Sequence, residues 1–333
     1  MSTIQDVARE AGVSTTTVSR HLNGRIELPT ETAARVDAAV ARLQYRPNLL
    51  AKRLSLGTSE TIGLMAPEIA NPFFAELAAA AQDEADQQGF AVLMSSTRGS
   101  VEREVAALSR LRDRHVDGLL VLTNRVDDGT LARAISAVPN VVLLDEDVPG
   151  AEVPRVFAEN EVGAYLATRH LIENGHRRIA HVGGPEGLFS TRERLAGFRR
   201  ALAEAGLAEA AVHLGAYSRE HGAASAERLL GSSGSPTAIF AGSDFIAIGL
   251  MRAARGMGTR VPADVSLVGF DDMPFSQLLD PALTTVRQPA AEIGRVGVRQ
   301  LLRLINKQAA DPVTRLAVEL VERQSVARRH AGD

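Results

Sequence analysis

Two groups of side chains in this 333-residue chain could do chemistry, and they lie far apart in the sequence. The first is short and polar: Thr15, Thr16, Ser19 and Arg20, preceded by Gly12 and Ser14. A threonine can hydrogen-bond a base edge or offer its methyl to a thymine, and arginine can read guanine through two parallel bonds or hold a phosphate. The second group recurs after apolar runs: Asn71 with Phe73 and Phe74, Ser96 and Arg98, Asp145 and Glu146, Arg192 and Arg194, Ser243 and Asp244, Asp271 and Asp272. Carboxylates accept from hydroxyls, guanidinium donates in pairs, and phenylalanine faces stack on apolar ring surface. That set suits a hydroxyl-rich ring.

The elements that must position the first group are read from periodicity. Ile4, Val7, Ala8 and Ala11 fall at i, i+3, i+4 and i+7, one apolar face of a short helix. Gly12 suits a tight turn with positive φ, and Ser14 stands where an N-cap should. The second helix, about residues 14–22, turns Val18 and Leu22 inward and leaves Thr15, Thr16, Ser19 and Arg20 outside. A third helix starts near Pro29 and shows Ala33, Val36, Val40 and Leu43 on one face. Three such helices can share a small core and lay the second in a major groove. They can equally form a bundle with no nucleic-acid role, and periodicity leaves both open.

The second group belongs to a different kind of structure. TIGLMAP (61–67), FAVLMSS (90–96), VDGLLVLT (116–123), VVLLDED (141–147), RIAHVGGP (178–185), TAIFAGSD (237–244) and VSLVGFDD (265–272) are short apolar runs separated by helical stretches. Near-continuous hydrophobic strands belong to parallel sheets covered by helices on both faces. Seven of them exceed one ordinary open sheet, so two α/β lobes are expected. Open sheets of this kind bind ligands beyond the carboxyl ends of their strands, where the polar set stands.

Composition narrows the class. Hydrophobic residues at 45% and charged residues at 23% are ordinary for a soluble globular chain. With no cysteine, disulfides, thiolate metal sites and cysteine nucleophiles are excluded. MSTIQDVAREAGV does not look like a secretory signal, and no apolar run approaches the roughly 18 residues of a membrane span. A cytoplasmic protein that does not engage membranes is expected. The net charge is −3, but residues 1–60 hold eight basic against six acidic side chains, +2, which leaves −5 for the rest. The excess is too slight to argue for nucleic acid alone.

TIQDVAREAGVSTTTVSRHLNG and TAARVDAAVARLQYRPNLLAKRL closely resemble the head of the lactose-repressor (LacI/GalR) family, and the resemblance continues through nearly the whole chain. It implies an α/β protein with an N-terminal three-helix helix-turn-helix domain (1–46) and a hinge helix and linker (47–60). A two-lobed sensor resembling periplasmic binding proteins (61–333) follows. Lobe 1 would take about 61–157 and 288–318, and lobe 2 about 158–287 and 319–333. Carried over by position, Thr15 and Thr16 match the base-reading pair and Arg20 a further contact, with Thr17 and Asn23 in the same DNA-binding set. In PNLLAKRL, Leu54 matches the leucine that wedges into the minor groove and Ala51 its neighbour. Leu49, Leu50 and Leu54 are also too apolar for an ordinary exposed linker, although packed interdomain core would account for the same run. On the sensor, the resemblance assigns effector binding to Asn71, Phe73, Phe74, Asp145, Arg192, Tyr217, Ser243 and Asp271. Leu188 stands where the purine-responsive member carries an arginine, which argues against a purine.

The expected function is a sequence-specific transcriptional regulator, a repressor of a sugar-utilisation operon. Its partners would be double-stranded operator DNA and a small effector, a monosaccharide or derivative, with no cofactor. RQSVARRHAGD carries no leucine heptads, so a homodimer is expected rather than a coiled-coil tetramer. An α/β enzyme without a DNA role is the rival class, but the sequence offers it little. GGPEG lacks both the phosphate-loop ending and the G-x-G-x-x-G spacing, and no G-x-S-x-G elbow occurs. The eight histidines do not fall at metal-ligand spacing, and His170, His176 and His181 read as structural. A free-standing sugar-binding protein would lack the helix-turn-helix.

Overall fold

Apolar spacing of three and four residues gives the first unit its three helices, α1 (Ile4–Ala11), α2 (Thr15–Leu22) and α3 (Thr30–Arg42). The computed structural model describes residues 2–22, 24, 26–45, 58–231 and 234–329, and the chain divides into two units, Met1–Ser59 and Glu60–Asp333. Thr3 and Asp6 form a capping box at the start of α1, a T-x-x-D signal. Gly12 ends α1 in the left-handed region at φ 68°, and Val13 N–H returns to the Ala8 carbonyl at 3.0 Å. The Ser14 hydroxyl then accepts the Thr17 N–H at 3.1 Å, opening α2. Val7, Ala8, Ala11, Val18, Val36 and Ala39 make the core, with Leu22, Val40 and Leu43 packed against it. Asn23, Ala51, Leu54 and hinge residues 47–57 lie outside the described residues.

The second unit holds two six-stranded sheets. The first runs β11-β5-β4-β3-β1-β2, all parallel, from β1 (Thr61–Ala66), β2 (Ala91–Ser96), β3 (Gly118–Val121), β4 (Val141–Leu144), β5 (Arg155–Ala158) and β11 (Val313–Leu316). The second runs β12-β10-β9-β8-β6-β7, from β6 (Ile179–Gly183), β7 (Ala211–Leu214), β8 (Ala238–Ala241), β9 (Ser266–Asp271), β10 (Thr284–Arg287) and β12 (Glu319–Val321). Only β12 is antiparallel to its neighbour. The seven apolar runs are all strands here, β1 to β4, β6, β8 and β9. The other five strands are three or four residues long and were not read from the sequence.

Alternation along each inner strand feeds a core on both faces. Leu64, Leu120 and Leu122 face α4 (Pro72–Gln87) and α11 (Ala290–Ile305). Met65, Leu119 and Val121 face α5 (Val101–Arg112) and α6 (Thr130–Ser136). In the second sheet Val182 and Ile239 face α9 (Arg219–Leu229) and α10 (Asp244–Gly256). Phe240, Val268 and Phe270 face α7 (Asn160–Glu173) and α8 (Phe189–Glu204). With both faces apolar, polar side chains collect at the strand ends. No helix among the described residues is long and apolar enough to cross a membrane.

Helices α9 and α10 cross so closely that a Cβ on Gly249 would lie 2.0 Å from the Arg219 carbonyl oxygen. Gly249→Ala should therefore cost at least about 1–3 kcal/mol in urea unfolding, since backbone rather than a side-chain tip must give way. Gly256→Ala at the end of the same helix meets nothing within 4 Å and should be neutral or slightly stabilising. Equal stability of the two variants would refute the close crossing.

Candidate functional site

Among the described residues, two places combine exposed or convergent polar groups. In the first unit, Thr15, Thr16 and Arg20 are exposed on α2, and Arg20 makes no ion pair among the described residues. Its neighbours differ: Arg9 is paired with Asp6, Arg42 with Glu10, and His21 lies 3.0 Å from Asp37. Thr17 is half-buried, and its hydroxyl is 2.8 Å from that of Ser14, so it serves the helix start. The free set is thus Thr15, Thr16 and Arg20, at the end and face a groove-reading helix presents.

In the second unit the strand ends of both sheets converge on a cavity of about 240 Å³. Asn71, Phe73 and Phe74 enter from the turn after β1 and the first turn of α4. Asp145 and Glu146 follow β4, Ser190 and Arg194 lie in the first turns of α8, and Tyr217 follows β7. Ser243 caps α10 after β8, Asp271 ends β9, and Gln288 follows β10. Seven of the eight expected effector residues line this one cavity: Asn71, Phe73, Phe74, Asp145, Tyr217, Ser243 and Asp271.

The eighth, Arg192, does not. It is exposed, with its guanidinium 5.7 Å from the centre of the Phe189 ring, and the cavity takes Arg194 instead. Two residues along a helix turn a side chain by about 200°, so one of this pair had to face away. Ser96 and Arg98 also stand outside the cavity. Asp272 is engaged elsewhere, 2.7 Å from Arg287 and 2.6 Å from Arg323. Asp244 is a buried brace: it accepts from Met273 N–H, the Ser276 hydroxyl and the Thr285 hydroxyl, which fixes the turn after Asp271. Thr123, Asn124, Ser218 and Gln288 line the cavity without having been singled out. Gln288 follows β10, whose TTVR gives no hydrophobic signal.

Phe73 and Phe74 are both nearly buried, and their rings meet edge to face with centroids 5.4 Å apart. Adjacent side chains thus border the cavity together, because they sit in the first helical turn at its rim. Asn71 spends its carbonyl oxygen capping α4 through Phe73 N–H, and Ser243 spends its hydroxyl oxygen on Ile246 N–H. Two strand-end aspartates turn into the left-handed region, Asp145 at φ 67° and Asp271 at φ 120°. Such backbone is costly for a non-glycine residue and collects where a side chain must be aimed.

Arg194 is 4% exposed and lies at the centre of the polar set. Its Nε donates to Asn160 at 2.8 Å, Nη1 donates to the Gly242 carbonyl at 2.6 Å, and the guanidinium lies 3.9 Å from the Phe270 ring centroid. Its nearest carboxylate, Asp271, is 3.9 Å away. Glu146 accepts from the Ser190 N–H and hydroxyl, and the Tyr217 hydroxyl is 3.0 Å from those of Ser190 and Thr191. Burial pushes the Asp145 carboxyl up to about 6, with Arg194 opposing. Burial and the Asp145 charge push Glu146 up to about 8 against the Ser190 bonds. Burial likewise raises Asp271, although Arg194 pulls the other way. The arrangement has the form of a binding site, with acceptors, one buried cation and aromatic walls. No cluster of histidine, aspartate and glutamate with metal-binding geometry occurs among the described residues.

Sequence comparison matches residues 3–48 to the bacterial regulatory proteins of the lacI family and residues 168–326 to a periplasmic binding protein-like domain. The chain is 38% identical to the ribose operon repressor of Halalkalibacterium halodurans over 93% of this chain and 92% of that protein. It is 36% identical to the HTH-type transcriptional repressor PurR of Escherichia coli over 98% of this chain and 97% of that one. Among solved structures, the lac repressor dimer bound to operator and the anti-inducer ONPF superposes with a TM-score of 0.86. The two are 34% identical, and the match covers 98% of this chain and 99% of that one.

The raised carboxyls make stability depend on pH with a definite sign. A buried glutamic acid that holds its proton to about 8, against 4.5 ordinarily, stabilises the fold at low pH and loses that contribution as pH rises through about 8. The melting temperature of the unliganded protein should fall between about pH 4.5 and 8, and Glu146→Gln should flatten that fall. His181 works on the other limb: burial pushes it down to about 4, so its contribution is lost as pH drops from 6.5 toward 4. A melting curve equally steep above neutrality in Glu146→Gln would show that Glu146 is not the group responsible.

Proposed function

The chain belongs to the lacI family of bacterial regulatory proteins, and from that premise we propose a repressor of sugar-utilisation genes whose hold on operator DNA is set by a small hydroxylated effector. The observation that carries this reading is the pairing, in one chain, of a free recognition helix with a strand-end cavity lined by acceptors and aromatic rings. Thr15, Thr16 and Arg20 would meet base edges, and Asn71, Phe73, Phe74, Asp145, Arg194, Tyr217, Ser243 and Asp271 would hold the effector. Asn23, Ala51 and Leu54 complete the DNA-binding set on the strength of the resemblance alone. The relatives are transcriptional repressors, not enzymes. Such a protein works in the cytoplasm.

A monosaccharide is favoured over a purine by the cavity itself. Leu188 is buried in its wall, an apolar neighbour where a base would need a hydrogen-bonding partner. A homodimer would match the two-fold symmetry of a near-palindromic operator. Leu93 on the open edge strand β2 and Leu278, 79% exposed, offer apolar surface for such an assembly. Coupling between effector and DNA is reciprocal and typically ~1–3 kcal/mol.

The test is to select operator sequences from random duplexes, then titrate the complex with monosaccharides and purines. Arg20→Ala should weaken the selected operator by roughly 5- to 150-fold, the ~1–3 kcal/mol of one good base contact. Asp271→Asn should leave operator binding intact and abolish the response to effector. An operator affinity indifferent to Arg20, or a purine response that outstrips every sugar, would refute the corresponding half of the reading.

A further inference from the structure

The cavity contains more acid than a neutral ligand needs. Its lining carries five carboxyl groups, Glu68, Asp145, Glu146, Glu220 and Asp271, against two guanidiniums, Arg194 and Arg219. Glu68, Glu220 and Arg219 are exposed and screened by water, so the decisive groups are the three inner acids and Arg194. Arg194 does not balance them, because its close donations go to two neutral acceptors, Asn160 and the Gly242 carbonyl. Among the described residues only Asp271 lies within ion-pair range of it, at 3.9 Å.

A second observation concerns hydrogen bonds rather than charge. The Asp145 Oδ1 atom and the Gln288 Oε1 atom are both buried without a partner. Gln288 donates one Nε2 proton to Asp271, and its Oε1 is left as an unpaired acceptor. An unpaired buried acceptor costs about 1–3 kcal/mol until a donor reaches it. The cavity therefore calls for a ligand that brings several donors and a positive charge. Aromatic faces at Phe73, Phe74, Tyr217 and Phe245 would accommodate a ring and attract a cation.

We propose that the effector is a hydroxylated amine, an amino sugar in class, whose ammonium sits against Asp145, Glu146 and Asp271 while its hydroxyls meet the remaining acceptors. This rests on the cavity being the effector site. A neutral sugar meets the same acceptors with hydroxyls but leaves burial holding protons on Glu146 and Asp271, whereas a bound cation would let these inner acids ionise. An ammonium brings three donors and the missing charge in one group.

The experiment titrates the full-length protein with D-glucosamine, D-galactosamine and D-mannosamine, each beside its parent aldose and its N-acetyl derivative. Calorimetry and thermal shift read the binding. The N-acetyl form keeps the ring and an N–H but removes the charge. At least one amine should bind ten times or more tighter than both of its neutral counterparts. Glu146→Gln, Asp145→Asn or Asp271→Asn should shrink that preference to threefold or less, with at least one of the three doing so. Equal or tighter binding of a neutral form refutes the amine and leaves the sugar-effector reading standing. A preference that survives all three substitutions refutes the carboxyl assignment. If no amine and no neutral sugar binds, both readings fall together.

Discussion

One buried guanidinium holds the second unit's cavity together. Arg194 reaches from the first turns of α8 to Asn160 at the start of α7, to the carbonyl of Gly242 beyond β8, and to the face of Phe270 in β9. A charged group taken this far from water survives only with its donors used. Asn160 is itself fully buried, so the bond satisfies both partners. The same cation sets the electrostatics of the cavity. It is the one buried positive charge in the lining, and the ionisation of Asp145, Glu146 and Asp271 is held in reach by it.

The reason the polar groups meet at all lies in the backbone. Parallel strands with helices on both faces leave no polar face, and their carboxyl ends all point the same way. Each strand that ends at the cavity delivers its next one or two side chains there. Left-handed backbone at Asp145 and Asp271 turns the chain immediately, so the carboxyl stays at the strand end instead of continuing past it. Around Asp271 the turn is fixed from behind by Asp244, whose carboxylate takes one backbone N–H and two hydroxyls. Geometry at the cavity is therefore maintained by groups that never enter it.

Much of this was legible in the sequence, and the gaps have physical causes. The head read correctly because its signals are local: apolar spacing, Gly12 in a left-handed turn, and Ser14 as a cap. Inner strands read correctly because burial on both faces leaves only apolar residues. β10 escaped notice because Thr284 and Thr285 are fully buried yet polar, and their hydroxyls are satisfied by Arg323 N–H and Asp244. Edge strands such as β11 and β12 are short and half-exposed, so they carry no run to detect. The choice between Arg192 and Arg194 turned on the phase of α8 at its first turns. That phase is set by where Phe189 and Phe198 pack, which sequence spacing alone does not reveal. Glu146 was visible as a strand-end acid, but its partner Ser190 stands 44 residues away.

That last contact also bears on how a cavity of this kind can signal. Glu146 belongs to the first sheet and Ser190 to a helix on the second, so their hydrogen bonds tie the two lobes across the cavity. Arg315 on β11 and Glu193 on α8 tie them again, through two bonds of 2.7 and 2.8 Å. A ligand shifts an equilibrium only by interacting differently with its two states. A group bound at Glu146 does this directly, because it must share or displace the bonds from Ser190. The two bonds from Ser190 contribute about 0.5–1.5 kcal/mol each, and coupling between sites in regulators is typically about 1–3 kcal/mol. The two magnitudes match. Exchange at this one contact between the lobes is therefore of the size that such a coupling needs.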